Sequence, residues 1–135
     1  MHWHAYHWTG PAAERSREAE RRLDSAQFLD SSLPPFRSGD WLARPADQVS
    51  ETFVDPEEAV DWLAAWYDTY RDRMHHPDRI CQQVRVEATL GSLRMGIDCR
   101  WEEWLHEGAY MCLVMVCCPH RAANHPCPTG VPARL

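Results

Sequence analysis

The chain has 135 residues, enough for one domain with a core that stands without disulfides. Its 44% hydrophobic and 25% charged residues are those of a folded globular protein. Fourteen basic residues, all Arg, stand against twenty acidic ones, and the net charge of -6 argues against a basic nucleic-acid-binding face.

No apolar run reaches the roughly 18 residues of a membrane span, so no membrane partner is expected. The segment Met1–Trp8 has neither the basic nor the apolar part of a signal peptide. The expected location is the cytoplasm, where structural disulfides among the six Cys are not expected.

Residues 2–8 read as a strand of period two, with His2, His4, Tyr6 and Trp8 on one face and Trp3, Ala5 and His7 on the other. Gly10-Pro11 predicts the start of a polar helix running to about Asp24, touching the core lightly. Residues 28–54 form a long irregular connection broken by Ser, Pro and Gly. Its Phe28, Leu29, Leu33, Phe36, Trp41 and Leu42 are too apolar for a free linker and should dock on the domain. Residues 48–54 allow a weak edge strand.

The clearest helix follows. Asp55 suits the N-cap, Pro56 the first helical position, and Glu58 the third position of a capping box. Ala59, Trp62, Leu63, Trp66, Tyr67, Tyr70 and Met74 form one apolar stripe. His76-Pro77 ends it.

The last third predicts a three-strand meander. Val84, Val86, Ala88 and Leu90 alternate with polar residues, as do Leu93, Met95, Ile97, Cys99 and Trp101. Gly91-Ser92 between them reads as a tight turn pairing Leu90 with Leu93 and Arg85 with Asp98. Residues 110–118 are almost wholly apolar, so that strand should be central, with the N-terminal strand plausible beside it. A turn at Glu107-Gly108 would set Trp101 opposite Val114 and Trp104 opposite Met111. Trp104, Met111, Leu113, Met115 and Cys117 would then share the face opposite the main core.

The expected fold class is α+β. A mixed or antiparallel sheet of about four strands packs on one long helix and one polar helix. The chain reads as a single domain over 1–135, with a Pro-rich tail over 119–135.

The sharpest chemical feature is Cys118-Pro-His120 followed by His125-Pro-Cys127. Cys118, His120, His125 and Cys127 comprise the two thiolates and two imidazoles of a tetrahedral zinc set. One residue between paired ligands is tighter than in common zinc sites. A shared site is geometrically easier, with two ligands from this segment and others from His2, His4 or Cys117. It requires the first and last strands to be neighbours. Cys99 and Cys112 read as core, and Cys127 as the exposed thiol.

His75-His76 reads as a helix terminus. Glu103 and His106 give one copy of a motif that di-iron sites need twice. There is no Gly-rich phosphate loop and no nucleophile elbow.

These features predict a small acidic cytoplasmic interaction protein without catalysis of its own. It would bind another macromolecule, as an inhibitor, immunity or accessory protein does, or pair as a homodimer, through Trp104, Met111, Leu113 and Met115, unless the domain's own elements cover them. The alternative is a metal-dependent enzyme or small-ligand binder using the Cys/His cluster and the N-terminal His residues.

Overall fold

The computed structural model describes residues 1–130; the last five residues of the Pro-rich tail, 131–135, lie outside the described residues. The strands are β1 (His2–Pro11), β2 (Glu51–Phe53), β3 (Cys99–Leu105) and β4 (Ala109–Cys118), and the helices are α1 (Glu18–Arg21), α2 (Pro56–Tyr70) and α3 (Gln82–Arg94). The sheet is antiparallel with order β2-β1-β4-β3, so the fold is α+β. No helix among the described residues is long and apolar enough to cross a membrane.

β4 is central and buried along its length from Tyr110 to Cys118. β1 pairs with it over ten residues, from His2 opposite Cys118 to Pro11 opposite Ala109. β2 is the edge strand within 48–54, and it covers only Trp3 to Ala5 of β1.

Both faces of the sheet are covered. On one, Leu63 and Tyr67 of α2 and Leu93 of α3 pack on Trp3, Trp101, Met111, Leu113 and Met115. On the other, Leu33, Trp41 and Leu42 pack on Tyr6, Trp8, Cys112, Val114 and Val116. Tyr6 and Trp41 stack with ring centroids 4.5 Å apart.

α2 forms as its sequence dictates. The Asp55 carboxylate accepts a hydrogen bond from the Glu57 backbone N–H at 2.9 Å, and Pro56 begins the helix. The irregular segment is held by polar anchors rather than by repeating backbone bonds. Arg21 Nε donates to Pro34 O at 2.8 Å, Arg44 Nη2 to Glu20 O at 2.9 Å, and Gln48 Nε2 to Ser31 O at 2.9 Å. Arg44 also lies over Phe28, with its guanidinium carbon 4.1 Å from the ring centroid. Burial lowers the Arg44 pKa to about 10, with Glu20 acting in the opposite direction.

Three expectations are corrected. First, the helix expected from Pro11 to Asp24 is a 3-10 turn over Ala12–Ser16 followed by the short α1, because β1 continues in register to Pro11. Arg21, expected on a wet face, is buried.

Second, residues 82–94 are helix, not the first hairpin of a meander. Alternation from Val84 to Leu90 fits a strand, but Val86, Leu90 and Leu93 also recur at helical spacing and meet the core together. Thr89 accepts from Trp101 Nε1 at 3.1 Å, and Arg85 pairs with Glu103 at 3.5 Å rather than with Asp98. A Cβ at Gly91 would meet nothing within 4 Å. Gly91→Ala should therefore stabilise the protein by about 1 kcal/mol, the helix-interior difference between the two residues. Chemical denaturation checks this; a loss of stability would favour the hairpin.

Third, the β3–β4 register differs by one residue. Leu105 pairs with Ala109, so three residues make the turn, with Glu107 and Gly108 at φ 64° and 70°. Trp101 faces Leu113, and Trp104 faces Tyr110. A one-residue slip exchanges the faces. Trp104 is therefore parted from Met111, Leu113 and Met115, and the face expected to lie opposite the main core is the one that α2 covers.

Candidate metal centre

The pairing of β1 with β4 brings the two ends of the chain together. His2 sits opposite Cys118, and His4 lies two residues along on the same face of β1. Cys127 arrives from the tail over that face. The ligand atoms of His2, His4, Cys118 and Cys127 all lie within 4.8 Å of one another.

The two imidazoles present the same nitrogen. His2 Nε2 and His4 Nε2 are 3.1 Å apart, and Cys127 Sγ lies 3.5 and 3.4 Å from them. A tetrahedral zinc site with Zn–N about 2.05 Å and Zn–S about 2.3 Å has edges of about 3.3 Å between nitrogens and about 3.6 Å between nitrogen and sulfur. The separations among His2, His4 and Cys127 are within about 0.2 Å of those edges, and Cys118 Sγ lies within 4.8 Å of each. This group could hold a metal ion.

The next layer orients the ligands. His4 Nδ1 is 2.8 Å from Thr52 Oγ1, the residue opposite it on β2. That contact leaves Nε2 for the centre, the arrangement usual for ligating imidazoles. Burial lowers the pKa of His4 to about 4, with His2 adding to the effect. Burial and then the N-terminal ammonium lower that of His2. Both rings are thus held in the neutral form that binds metal. Burial, and secondly Cys127, pushes the Cys118 thiol up to about 12. A cation is what would offset its ionisation in this setting.

The tail is placed by its histidines, which bind carboxylates and not the centre. His120 Nδ1 accepts from the backbone N–H groups of Ala122 and Ala123 at 3.1 and 2.8 Å. Its proton is therefore on Nε2, which donates to Asp98 Oδ2 at 2.5 Å. The other oxygen of Asp98 accepts from the Cys117 N–H at 2.8 Å. His125 Nε2 donates to Asp40 Oδ1 at 3.0 Å. Gly39 permits this docking, because a Cβ there would stand 2.8 Å from both Ala123 Cβ and His120 Cε1.

The four residues Cys118, His120, His125 and Cys127 are therefore not brought together as one set. Cys118 and Cys127 converge, with His2 and His4 in place of His120 and His125. The easier shared arrangement is the one found, and its condition, neighbouring first and last strands, is met. Thr52 escaped the sequence reading altogether, since only the β1–β2 pairing puts it beside His4. Among the thiols, the exposed one is Cys81, and Cys127 is half-buried.

The expected partner surface is also corrected. Met111, Leu113 and Met115 are fully buried beneath α2 and α3. Of the four residues only Trp104 is exposed, at 52%, edge-on to Tyr110 with Arg15 lying over the Tyr110 ring.

No family model matches the chain, and neither a curated protein nor a solved structure matches it. The functional reading rests on the chain's own geometry.

Proposed function

We propose that this is a zinc-binding protein in which the ion ties the N-terminal strand to the C-terminal tail. One observation carries the reading: two imidazole nitrogens and two thiol sulfurs converge within 4.8 Å on a largely buried face of the sheet. Two N and two S donors without a carboxylate suit zinc among the common divalent ions. Four protein ligands complete a tetrahedron and leave no position for a substrate, so the role is structural rather than catalytic. This agrees with a protein that acts by binding, in the cytoplasm, rather than by turnover.

Elemental mass spectrometry of protein purified without a histidine tag tests the proposal. The expected result is one zinc per chain, falling below a tenth of an equivalent in His4→Ala and in Cys118→Ser. His120→Ala and His125→Ala should keep the metal, because those rings bind Asp98 and Asp40. Loss of zinc in the last two variants with retention in His4→Ala would return the site to the tail alone. Metal-free protein after zinc supplementation would end the proposal.

A further inference from the structure

We propose that a cleft beside α1 binds a small organic anion, its charged oxygens on arginine and its apolar body on Phe36 and Leu23. The cleft has a volume of about 510 Å³, within the range of small-molecule sites. Three arginines line it, Arg21, Arg22 and Arg37, of which Arg22 is paired with Glu18 at 2.9 Å.

Arg21 is the reason to expect a ligand rather than a solvated basic patch. It is only 8% exposed. Its Nε and Nη1 donate to the carbonyls of Pro34 and Arg15, both at 2.8 Å. Its Nη2 makes no hydrogen bond among the described residues and is not one of the buried polar atoms without a partner, so this nitrogen reaches the surface. A buried charge without a counter-charge is costly. Arg15 and Arg100 add to that cost, and with burial they depress the Arg21 pKa, while Glu102 acts in the opposite direction. An incoming oxyanion would supply the missing counter-charge in the planar geometry that guanidinium prefers.

The walls suit an amphipathic ligand. The Arg21 guanidinium carbon is 4.3 Å from the centre of the Phe36 ring, so the charged head and the aromatic surface are adjacent. Phe36 and Leu23 are large apolar residues left 46% and 45% exposed. Two carboxylates also line the cleft, Asp24 and Asp40. One oxygen of Asp40 is taken by His125, so part of its charge is directed to the tail. With Arg22 held by Glu18, Arg21 and Arg37 balance Asp24 and Asp40, so an anion would be met by these two guanidiniums locally and not by a net positive field. The inference stands independently of the metal, whose ligands lie elsewhere.

Isothermal titration of the full-length protein, as purified, with phenyl phosphate, benzoate, inorganic phosphate and phenol is the test. Phenyl phosphate or benzoate should saturate one site per chain, more tightly than inorganic phosphate, while phenol does not bind. Saturation by only one of the two aryl anions would name the head group. Arg37→Glu and Arg22→Glu, both at exposed positions, should each weaken binding about tenfold without altering the circular dichroism spectrum. Arg21→Gln should abolish it; should that variant fail to fold, the other two decide. The inference is overturned if neither aryl anion binds, or if phenol binds equally well. It is also overturned if inorganic phosphate binds as tightly as phenyl phosphate, or if both charge reversals leave the affinity unchanged.

Discussion

Met111→Asp should unfold the protein. Met111 is fully buried on the sheet face that α2 and α3 cover, amid Leu63, Leu93, Trp101 and Leu113. Removing the side chain forfeits about 1.5–3 kcal/mol of apolar burial. The carboxylate in its place has no partner, and burying it costs several kcal/mol more. Together these approach the whole stability of a typical domain, about 5–15 kcal/mol. Circular dichroism of the purified variant should show no cooperative melting transition. Trp104→Asp is the control. At 52% exposure it should change stability by less than about 1 kcal/mol. A folded Met111→Asp with a native spectrum would mean that this face is a surface after all, and would revive its use for a partner or a second copy.

Removing the proposed zinc should lower the melting temperature by about 15 °C while leaving the protein folded at room temperature. An ion bound only by the native state, and present at a thousand times its dissociation constant, contributes about 4 kcal/mol. For a domain of this length each kcal/mol shifts the midpoint by about 3–5 °C. Complete unfolding is not expected, because the two cores on either side of the sheet do not depend on the ligands. The loss should be concentrated in the tail. Without Cys127 anchored, residues 119–130 keep the His120–Asp98 and His125–Asp40 bonds and the Arg121 Nη2 bond to Met95 O. Limited trypsin digestion should therefore cut after Arg121 faster in chelator-treated protein. Scanning calorimetry with and without a chelator gives the shift. An identical melting curve and identical digestion, in protein shown to have lost zinc, would deny the ion a structural role.

The elements that the sequence made legible are those whose local signals agree. α2 has its cap, its first-turn proline and its stripe, and it starts where expected, but it ends at Tyr70, passing into a 3-10 turn over Arg71–Arg73, short of the expected end at His76-Pro77. β4 is apolar at nearly every position and is central. The alternation of β1 puts His2, His4, Tyr6 and Trp8 on one face, as drawn from the sequence, and Tyr6 and Trp8 pack in one core while Trp3 and Ala5 pack in the other. Residues 82–94 carry an ambiguous signal because Val86 and Leu90 satisfy both periods, while Val84 fits only the strand and is exposed on the helix. Trp101 and Glu103, distant in sequence, select the helix by bonding Thr89 and Arg85.

The site divides in the same way. Residue chemistry alone named two thiols and two imidazoles as the donors, and named His2 and His4 as the alternative source of the imidazoles. It could not choose between the two pairs of His. Asp98 and Asp40, remote in the chain, decide that by taking His120 and His125 as hydrogen-bond donors. The β1–β4 register decides the rest, since His2 opposite Cys118 puts both on one face at one end of the sheet. Local sequence determines which backbone a segment prefers and which atoms it can offer. Which atoms meet is a long-range matter, decided only when strand register and carboxylates remote in the chain are in place.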